Sequence, residues 1–428
     1  MGRHGQDSRP SRTTARPPAP APDQHGHGHG HGHGHGHGPA SPAGRRVHLL
    51  LVALLVPAAL ASLVGALLLY PFGGVHAAAG VQQQTVDADV RLVTPADCGQ
   101  PNPGERNQGP RGCVALSLMM TTGDAEGRGI VSIVPVEPTT PVYRAGDEVV
   151  LQFNGGDPTD SASYQVIDFQ RSTSLWVLGL MFAGAVILLG RWRGVAALVA
   201  LGASFVVLLL FMLPAILDGR SPLAVALVGA CLIMFVVLYL SHGLSARTST
   251  AVLGTLVSLV LIGVLSAVFT EAAQLTGLDD PTQNLIAALG NGTRLNPQGL
   301  LLAGFVIGAL GVLDDVTVTQ TSAVWELRRA NSSLGAAQLF TAAMRIGRDH
   351  ISSAVNTLVL AYAGTALPLM LFFSVSGLSL GGALSSQDVA SELVRTLVGS
   401  IGLVASVPIT TGVAALVASA EEVPTLDR

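Results

Sequence analysis

Long apolar runs dominate the chain from about residue 175 onward, and polar residues are confined to short intervals between them. A helix of roughly 20 apolar residues is long enough to cross the ~30 Å hydrocarbon core of a bilayer. The pattern therefore predicts seven membrane-spanning helices in this part and one more near the start of the chain. The predicted spans are 47–69, 173–190, 194–217, 222–240, 248–270, 299–323, 351–375 and 393–418.

Residues 71–172 follow a different pattern, in which short β-prone runs are separated by Gly, Pro and Asp. Such runs are typical of strands joined by turns. We predict a small β domain here and expect a barrel of OB-like type. The predicted strands are Val86–Val93, Val114–Thr121, Ile130–Val136, Glu148–Phe153 and Tyr164–Phe169.

The fold class that these patterns predict is an all-α polytopic membrane bundle of about eight transmembrane helices, with a small extracytoplasmic β domain. Only 12% of the residues are charged, against about 25% in soluble domains, which argues against an ordinary water-soluble enzyme. The lipid bilayer is the expected partner, and a net charge of −4 gives no reason to expect nucleic acid. The predicted segments are a tail (1–46), a first transmembrane helix (47–70), the β domain (71–172), the membrane domain (173–418) and a second tail (419–428).

Arginines are distributed unequally between the two sets of intervals that separate the spans. Seven lie in the intervals 191–193, 241–247 and 326–350, whereas the short loops on the opposite side carry only Arg220 and Arg294. By the positive-inside rule, both termini are expected in the cytoplasm and the β domain outside it. The Ala- and Gly-rich, lysine-free composition is typical of a GC-rich bacterial genome, so the expected location is the bacterial cell (inner) membrane. The seven arginines are Arg191, Arg193, Arg247, Arg328, Arg329, Arg345 and Arg348.

Residues 1–46 contain almost no large apolar side chain, so we expect them to be disordered. Within this tail, histidine alternates strictly with glycine, and the imidazoles are candidate ligands for Zn²⁺, Ni²⁺ or Cu²⁺. The alternatives are a weak, unselective metal-binding tract or a repetitive codon run without function. The histidines are His25, His27, His29, His31, His33, His35 and His37.

Cys98 and Cys113 both lie in the predicted β domain. If that domain is outside the cytoplasm, we expect the two to form a disulfide, which contributes ~3 kcal/mol for a loop of this length. Cys231 lies inside an apolar span, where a packing role is the simpler interpretation.

The run 47–69 is longer than the core of a secretory signal, so we interpret it as an uncleaved span, although Ala77–Ala79 leave cleavage open.

Two adjacent carboxylates, Asp314 and Asp315, interrupt the sixth predicted span near its middle. A carboxylate at this depth costs at least ~2.5 kcal/mol on insertion scales, so it commonly has a function. At about 100° per residue, Asp315 shares a face with three glycines, and we expect this face to point into the bundle with Asp314 on its flank. Two poorly hydrated carboxylates do not both ionise easily, as a reversible proton or cation site requires. The glycines are Gly304, Gly308 and Gly311.

A polar face on the seventh span includes Asn356. This side chain is a candidate to hydrogen-bond a carboxylate of the sixth span or to line a water path, and helix packing is an equal alternative. For Asp314 and Asp315, the alternative is a buried structural pair satisfied by arginine or backbone groups. His350 is interpreted as a lone histidine at the membrane surface.

The leading hypothesis for function is a secondary transporter or permease with a proton site at Asp315, supported by Asp314 and Asn356, that moves an unknown small solute or ion. The alternative is a non-transporting membrane scaffold or sensor whose outer β domain binds an envelope protein or another envelope component. The sequence contains no P-loop, HExxH, GxSxG or dinucleotide-binding pattern. We therefore predict no enzymatic activity and no cofactor. An aqueous path that reaches Asp315 would favour the transporter.

Several motifs resemble those of bacterial YibE/F-like membrane proteins. One is Gly308-Ala-Leu-Gly-Val-Leu-Asp-Asp-Val-Thr followed by Trp325-Glu-Leu; another is Arg345-Ile-Gly-Arg-Asp-His with Asn356-Thr-Leu-Val-Leu-Ala-Tyr-Ala-Gly. The resemblance extends over roughly residues 80–418. It implies a multi-pass topology and no particular activity, because the family is largely uncharacterised. It also implies a small or apolar residue at position 314, which makes Asp315 the better candidate of the two aspartates.

Overall fold

The computed structural model describes residues 45–73, 84–98, 112–289, 295–377 and 379–421. Long helices make up most of this part of the chain, and one β-sheet follows the first of them. The helices are α1 (Arg45–Leu69), α2 (Ser172–Val207), α3 (Leu213–Leu217), α4 (Pro222–His242), α5 (Ala246–Ala272), α6 (Asp280–Leu289), α7 (Pro297–Ala330), α8 (Ala336–Thr365), α9 (Leu367–Val375), α10 (Leu380–Ser385) and α11 (Gln387–Ser419).

Six helices in the described ranges are long and apolar enough to cross a membrane. A seventh span is present if α8 and α9, which are bent by 56° at a short break, count as one. Every predicted span lies within one of these elements. The longest, Ser172–Leu217, contains both 173–190 and 194–217 and includes a π-helical turn at Leu208–Met212.

Arg191 interrupts this longest helix with a non-helical backbone (φ 51°, ψ −131°). A Cβ atom on Gly194 would lie 2.2 Å from the carbonyl oxygen of Val186, although an unbroken helix would separate residues eight apart by about 12 Å. The chain therefore folds back at Arg191. Glycine at position 194 is required because the two halves come into backbone contact there.

The interval 326–350, which carries four of the seven arginines, is largely helical. The sequence predicts an amphipathic helix here, capped by Ser332 or Ser333 and running to about Ile346, and α8 covers most of it. Helix α7 continues to Ala330 and α8 already begins at Ala336. Both helices have 30 or more residues, whereas about 20 are enough to cross the bilayer core. The arginines at this end of the bundle therefore lie on extensions of the helices.

All five predicted strands are present, as β1 (Gln84–Ala96), β2 (Cys113–Met120), β3 (Gly129–Pro135), β4 (Glu148–Phe153) and β5 (Tyr164–Phe169). They form one antiparallel sheet in the order β3-β2-β1-β4-β5. Leu116, Leu151 and Val90 are fully buried in its core. The sheet curls, so that the Val131 amide of β3 donates to Ser161 Oγ at 3.3 Å just before β5. Within the described residues no ladder joins β3 to β5, and the OB-like barrel stays a prediction.

Helices α5, α7 and α11 pack together at the centre of the bundle. Small residues allow the close approach: a Cβ atom on Gly254 would lie 2.4 Å from Thr410 Oγ1, and one on Gly402 would lie 2.1 Å from Ile262 Cγ1. Since lipid supplies no hydrophobic force between helices, such close packing is a main source of their association.

The start of α7 is defined by its sequence. Asn296 caps the helix by accepting a hydrogen bond from the Gly299 amide at 3.1 Å, and Pro297 occupies the first turn, where its missing N–H has no cost. From this cap the helix extends without a break to Ala330, so that Asp314 and Asp315 lie near its middle.

Candidate functional site

The glycine face of α7 points out of the bundle, contrary to the prediction. Gly304, Gly308, Gly311 and Asp315 are all exposed, and the side chain of Asp315 is 76% exposed. The opposite face is buried because its larger apolar side chains pack against Ile262 of α5 and residues of α11, which removes more apolar surface than the glycines could. The buried residues of that face include Leu302, Val306, Ala309, Leu313 and Val316.

His350 of α8 lies beside Asp315. The distance between His350 Nε2 and Asp315 Oδ2 is 4.0 Å, which is within the range of an ion pair when the imidazole is protonated. Nε2 is itself buried and has no hydrogen-bond partner in the described part of the chain. Both residues lie near the middle of their helices. The sequence analysis interpreted His350 as a lone histidine, and the contact with Asp315 was not predicted.

Asp314 has different surroundings from those of Asp315. It is partly buried on the flank of α7, as predicted, and its Oδ1 is a buried oxygen without a hydrogen-bond partner among the described residues. One turn along, Thr317 donates to the backbone oxygen of Asp314 at 3.2 Å and lies 2.8 Å from Thr255 of α5. The two carboxylates therefore face different parts of the bundle and do not share one site.

Asn356 is not brought to either aspartate. Its side chain is exposed, and it is two residues from the buried Leu358, which corresponds to about 200° around the helix. Among the described residues no hydrogen bond joins Asn356 to Asp314 or Asp315. The packed face of α8 is instead the one that carries Gly347 and Leu358. The alternatives for Asn356, lining a water path or packing between helices, stay predictions.

The glycines of α7 make room for two polar side chains from other helices. The hydroxyl of Tyr362 in α8 lies 2.7 Å from the position that a Cβ atom would take on Gly308, and Arg395 Nη2 of α11 lies 3.8 Å from that position on Gly304. We use the name α7 groove for the glycine face together with Tyr362, Arg395 and the Asp315–His350 pair. Any larger residue at position 308 would fill the groove.

A cavity of about 470 Å³ lies where α8 ends and α6 and α11 begin. It shares Tyr362 and Arg395 with the α7 groove, so the cavity and the groove adjoin. Carboxylates from two segments, the start of α6 and the start of α11, reach its wall. Its lining includes Asp279, Asp280, Tyr362, Leu369, Asp388, Glu392 and Arg395.

Buried polar residues line the interface of α5, α7 and α11. These residues were not among those predicted from the sequence. Gln320 is fully buried, and Thr411 donates to its Oε1 at 3.0 Å. A Cβ atom on Gly347 of α8 would lie 2.8 Å from the same oxygen, so Gln320 sits where three helices meet. The recurrence of Thr and Gln within apolar runs was the available signal. Hydrogen bonds of this kind hold membrane helices together.

The predicted disulfide is present in the structure and joins Cys98 to Cys113. It links the end of β1 to the start of β2. Cys231 is a free, partly buried cysteine, as predicted.

The histidines at positions 25–37, the candidate metal ligands, lie outside the described residues.

The apolar helices and their length define a multi-pass membrane protein. The family model of YibE/F-like protein matches residues 178–420, which is more than half of the chain. The chain therefore belongs to the YibE/F-like family, as its motifs predicted. The match covers the helical part from α2 to α11. No curated protein and no solved structure matches the chain.

Proposed function

We propose that this protein is a secondary transporter that moves a small solute across the bacterial inner membrane, with proton binding at Asp315 and His350. The observation that carries the proposal is the acid–imidazole pair in the α7 groove, with 4.0 Å between His350 Nε2 and Asp315 Oδ2. Ionisable residues within membrane spans mark proton or ion paths in many transporters.

The pair can change the packing of two helices through its charge. When the imidazole is protonated and the carboxylate ionised, the two groups attract each other across α7 and α8. When one proton is lost or gained, only one of the two groups remains charged and that attraction is lost. Because Gly308 and Gly311 leave α7 without bulky side chains on this face, α8 has room to move with the protonation state.

The proposed topology has eight spans, with both halves of Ser172–Leu217 counted separately and α8 with α9 counted as one. Both termini are then cytoplasmic and the β domain extracytoplasmic, in agreement with the arginine asymmetry. In this arrangement the cavity near Asp388 opens toward the outside, and Arg328 and Arg329 lie at the cytoplasmic end.

The test is proton flux in liposomes that contain the purified protein and a trapped pH-sensitive dye. With an imposed pH gradient, we expect wild-type protein to transport protons when a co-transported solute is supplied from a panel of amines, amino acids, organic acids and divalent cations. Asp315→Asn and His350→Gln should abolish this flux. The asparagine amide resembles a protonated acid in shape, so folding should be retained, and thermal unfolding checks it.

Asp349→Asn is the matched control, because Asp349 adjoins His350 on α8 but is exposed on another side of the helix. This variant should transport protons at the wild-type rate. Full solute-dependent flux in Asp315→Asn would refute the proton site. If no solute in the panel produces proton flux, the transporter proposal fails.

A second candidate function is a non-transporting scaffold or sensor. Its supporting observation is a cavity of about 260 Å³ in the β domain, lined by residues that include Asp124, Phe153 and Tyr164. An envelope component bound there would be recognised outside the bilayer, with the helices serving as an anchor. Absence of proton flux, together with photo-crosslinking from position 124 to one defined envelope component in cells, would favour this candidate.

A further inference from the structure

The cavity of about 470 Å³ has the size of a small-molecule site, since such sites commonly measure roughly 300–1,000 Å³. Its walls come from the start of α6, the end of α8, α9 and the first turns of α11. A site assembled from several helices can change shape when those helices move. It is therefore well placed to bind a solute.

The loop after α5 is tied to the helices that form this cavity. Thr276 donates to Gln387 Oε1 at 2.6 Å, which joins the loop to the start of α11. Gly277, with φ 73°, lies against α7: a Cβ atom there would be 2.3 Å from the carbonyl oxygen of Pro297. Contacts with α11 and with α7 therefore hold the segment that leads into Asp279 and Asp280 at the cavity wall.

The cavity wall has an excess of negative charge. Among the residues that the structure describes, four carboxylates line it, against the one guanidinium of Arg395. This guanidinium already donates to Glu392 Oε1 at 2.7 Å, and its Cζ lies 5.3 Å from the centre of the Phe305 ring. Arg395 is thus engaged by other groups, and the remaining carboxylates are not neutralised from within the wall. Closely placed charges of one sign in a cavity attract the opposite charge.

Two features favour an organic cation over a metal ion. No group of three or more His, Cys, Asp or Glu side chains in the described ranges is arranged to hold a metal. The carboxylates are instead spread around a wall that also contains Tyr362 and Leu369. An aromatic ring attracts an ammonium group, and an apolar side chain packs against the carbon part of a ligand.

We infer that this cavity binds a small organic cation, with its ammonium group held by Asp388 and Glu392 and its apolar part against Tyr362 and Leu369. Asp388 and Glu392 both line the cavity and lie one helical turn apart at the start of α11, so one ammonium group can contact both. The role of this ligand as the transported solute rests on the proposed function, whereas its binding does not.

The experiment is equilibrium binding of phenethylamine to the purified full-length protein, measured by isothermal titration calorimetry. At neutral pH this probe carries one ammonium group and one phenyl ring. We expect saturable binding by wild-type protein and about tenfold weaker binding by Asp388→Asn, since a lost charge contact of this kind corresponds to roughly one decade in affinity. Leu369→Trp should abolish binding by filling the cavity without changing its charge.

Asp349→Asn is again the control and should bind as wild type does. 3-Phenylpropionate, which has a similar shape but the opposite charge, should neither bind nor compete. The inference is overturned if the wild type does not bind phenethylamine, if 3-phenylpropionate binds equally well, or if Mg²⁺ alone binds through Asp388. It is also overturned if Asp388→Asn and Leu369→Trp both bind phenethylamine as tightly as wild type does and unfold at the same temperature as wild type.

Binding and transport give separate answers. If phenethylamine binds and no amine produces proton flux in liposomes, the site stands and the transporter proposal fails. If proton flux is coupled to another solute and phenethylamine does not bind, the transporter proposal stands and the organic-cation site is refuted.

Discussion

The hydroxyl oxygen of Tyr362 lies 2.7 Å from the position that a Cβ atom would occupy on Gly308, so α7 and α8 meet where α7 has no side chain. Gly308→Ala should therefore force the tyrosine to move and destabilise the protein. In the double variant with Tyr362→Phe the clash disappears, because the nearest remaining ring atom is 3.9 Å away. A double-mutant cycle on thermal unfolding should give a coupling free energy of about 1 kcal/mol.

Gly311→Ala is the control for this cycle, because no atom lies within 4 Å of the added Cβ on the same face of α7. It should leave stability unchanged or raise it, as alanine favours helix over glycine by about 1 kcal/mol. Additive effects of Gly308→Ala and Tyr362→Phe would show that the two residues are not in contact.

The crossing of α5 and α11 depends on Gly402. A Cβ atom there would lie 2.1 Å from Ile262 Cγ1, and both residues are buried. We expect Gly402→Ala to destabilise the protein by about 2 kcal/mol, a typical cost of overpacking a core. The double variant with Ile262→Ala should lose less stability than the two single variants lose in total. Gly412→Ala, where the nearest atom is at an ordinary 3.9 Å, should be close to neutral.

The disulfide between Cys98 and Cys113 closes a loop with a sequence separation of 15 residues. Replacing both cysteines by serine should reduce the stability of the β domain by about 3 kcal/mol on the chain-entropy account. The measurement is hydrogen exchange of the β1 and β2 amides in the full-length protein, which should become faster while exchange in α7 stays the same. Two free thiols in peptides from protein taken from its native membrane would contradict the disulfide.

Stability should depend on pH through Glu421, which follows the end of α11. Burial raises the pKa of this carboxyl, although Trp325 Nε1 donates to it at 3.1 Å and Arg329 and Arg328 favour its charged form. The folded state therefore binds the proton more tightly than the unfolded state does. The stabilising contribution is complete below the ordinary carboxyl pKa and is lost as the pH rises through the raised value.

Glu421→Gln keeps a neutral side chain that can still accept from Trp325. Its unfolding temperature should exceed that of wild type by a margin that grows as the pH is raised from below the ordinary carboxyl pKa through the raised one. A constant difference between Glu421→Gln and wild type across this range would rule out the assigned pKa shift.

The proposed topology can be tested with cysteines at two well exposed positions, Val142 in the β domain and Leu244 between α4 and α5. In a Cys231→Ser background, a membrane-impermeant maleimide should label Val142→Cys in intact cells. It should label Leu244→Cys only after the membrane is permeabilised. The opposite pattern would invert the orientation.

The elements themselves could be predicted from local pattern. The strands at Glu148–Phe153 and Tyr164–Phe169 have the predicted bounds. Every predicted span lies within an observed apolar helix, except 351–375, which is divided between α8 and α9. The disulfide was also predicted, because both cysteines belong to the same small domain. These features depend on residues that are close in sequence or on hydrophobicity summed over a long run, so no tertiary arrangement was needed to predict them.

The lengths of the helices were less predictable. Hydropathy identifies the part of a helix that is apolar, whereas α7 and α8 continue beyond it through polar turns that contain Arg328 and Arg345. As a result, His350 lies near the middle of α8 and not near its start. Caps and contacts with neighbouring helices decide where a helix ends, and a hydropathy average does not contain them.

Sequence alone determined that Gly304, Gly308, Gly311 and Asp315 share one face of α7, because helical periodicity is a local property. Only the tertiary structure decided that this face points outward. The choice depended on which face packs more favourably against α5 and α11, and Leu313 with Ile262 and Val398 settled it. The pairing of Asp315 with His350 likewise required the approach of two helices, and the free energy of such packing is distributed over residues far apart in the chain.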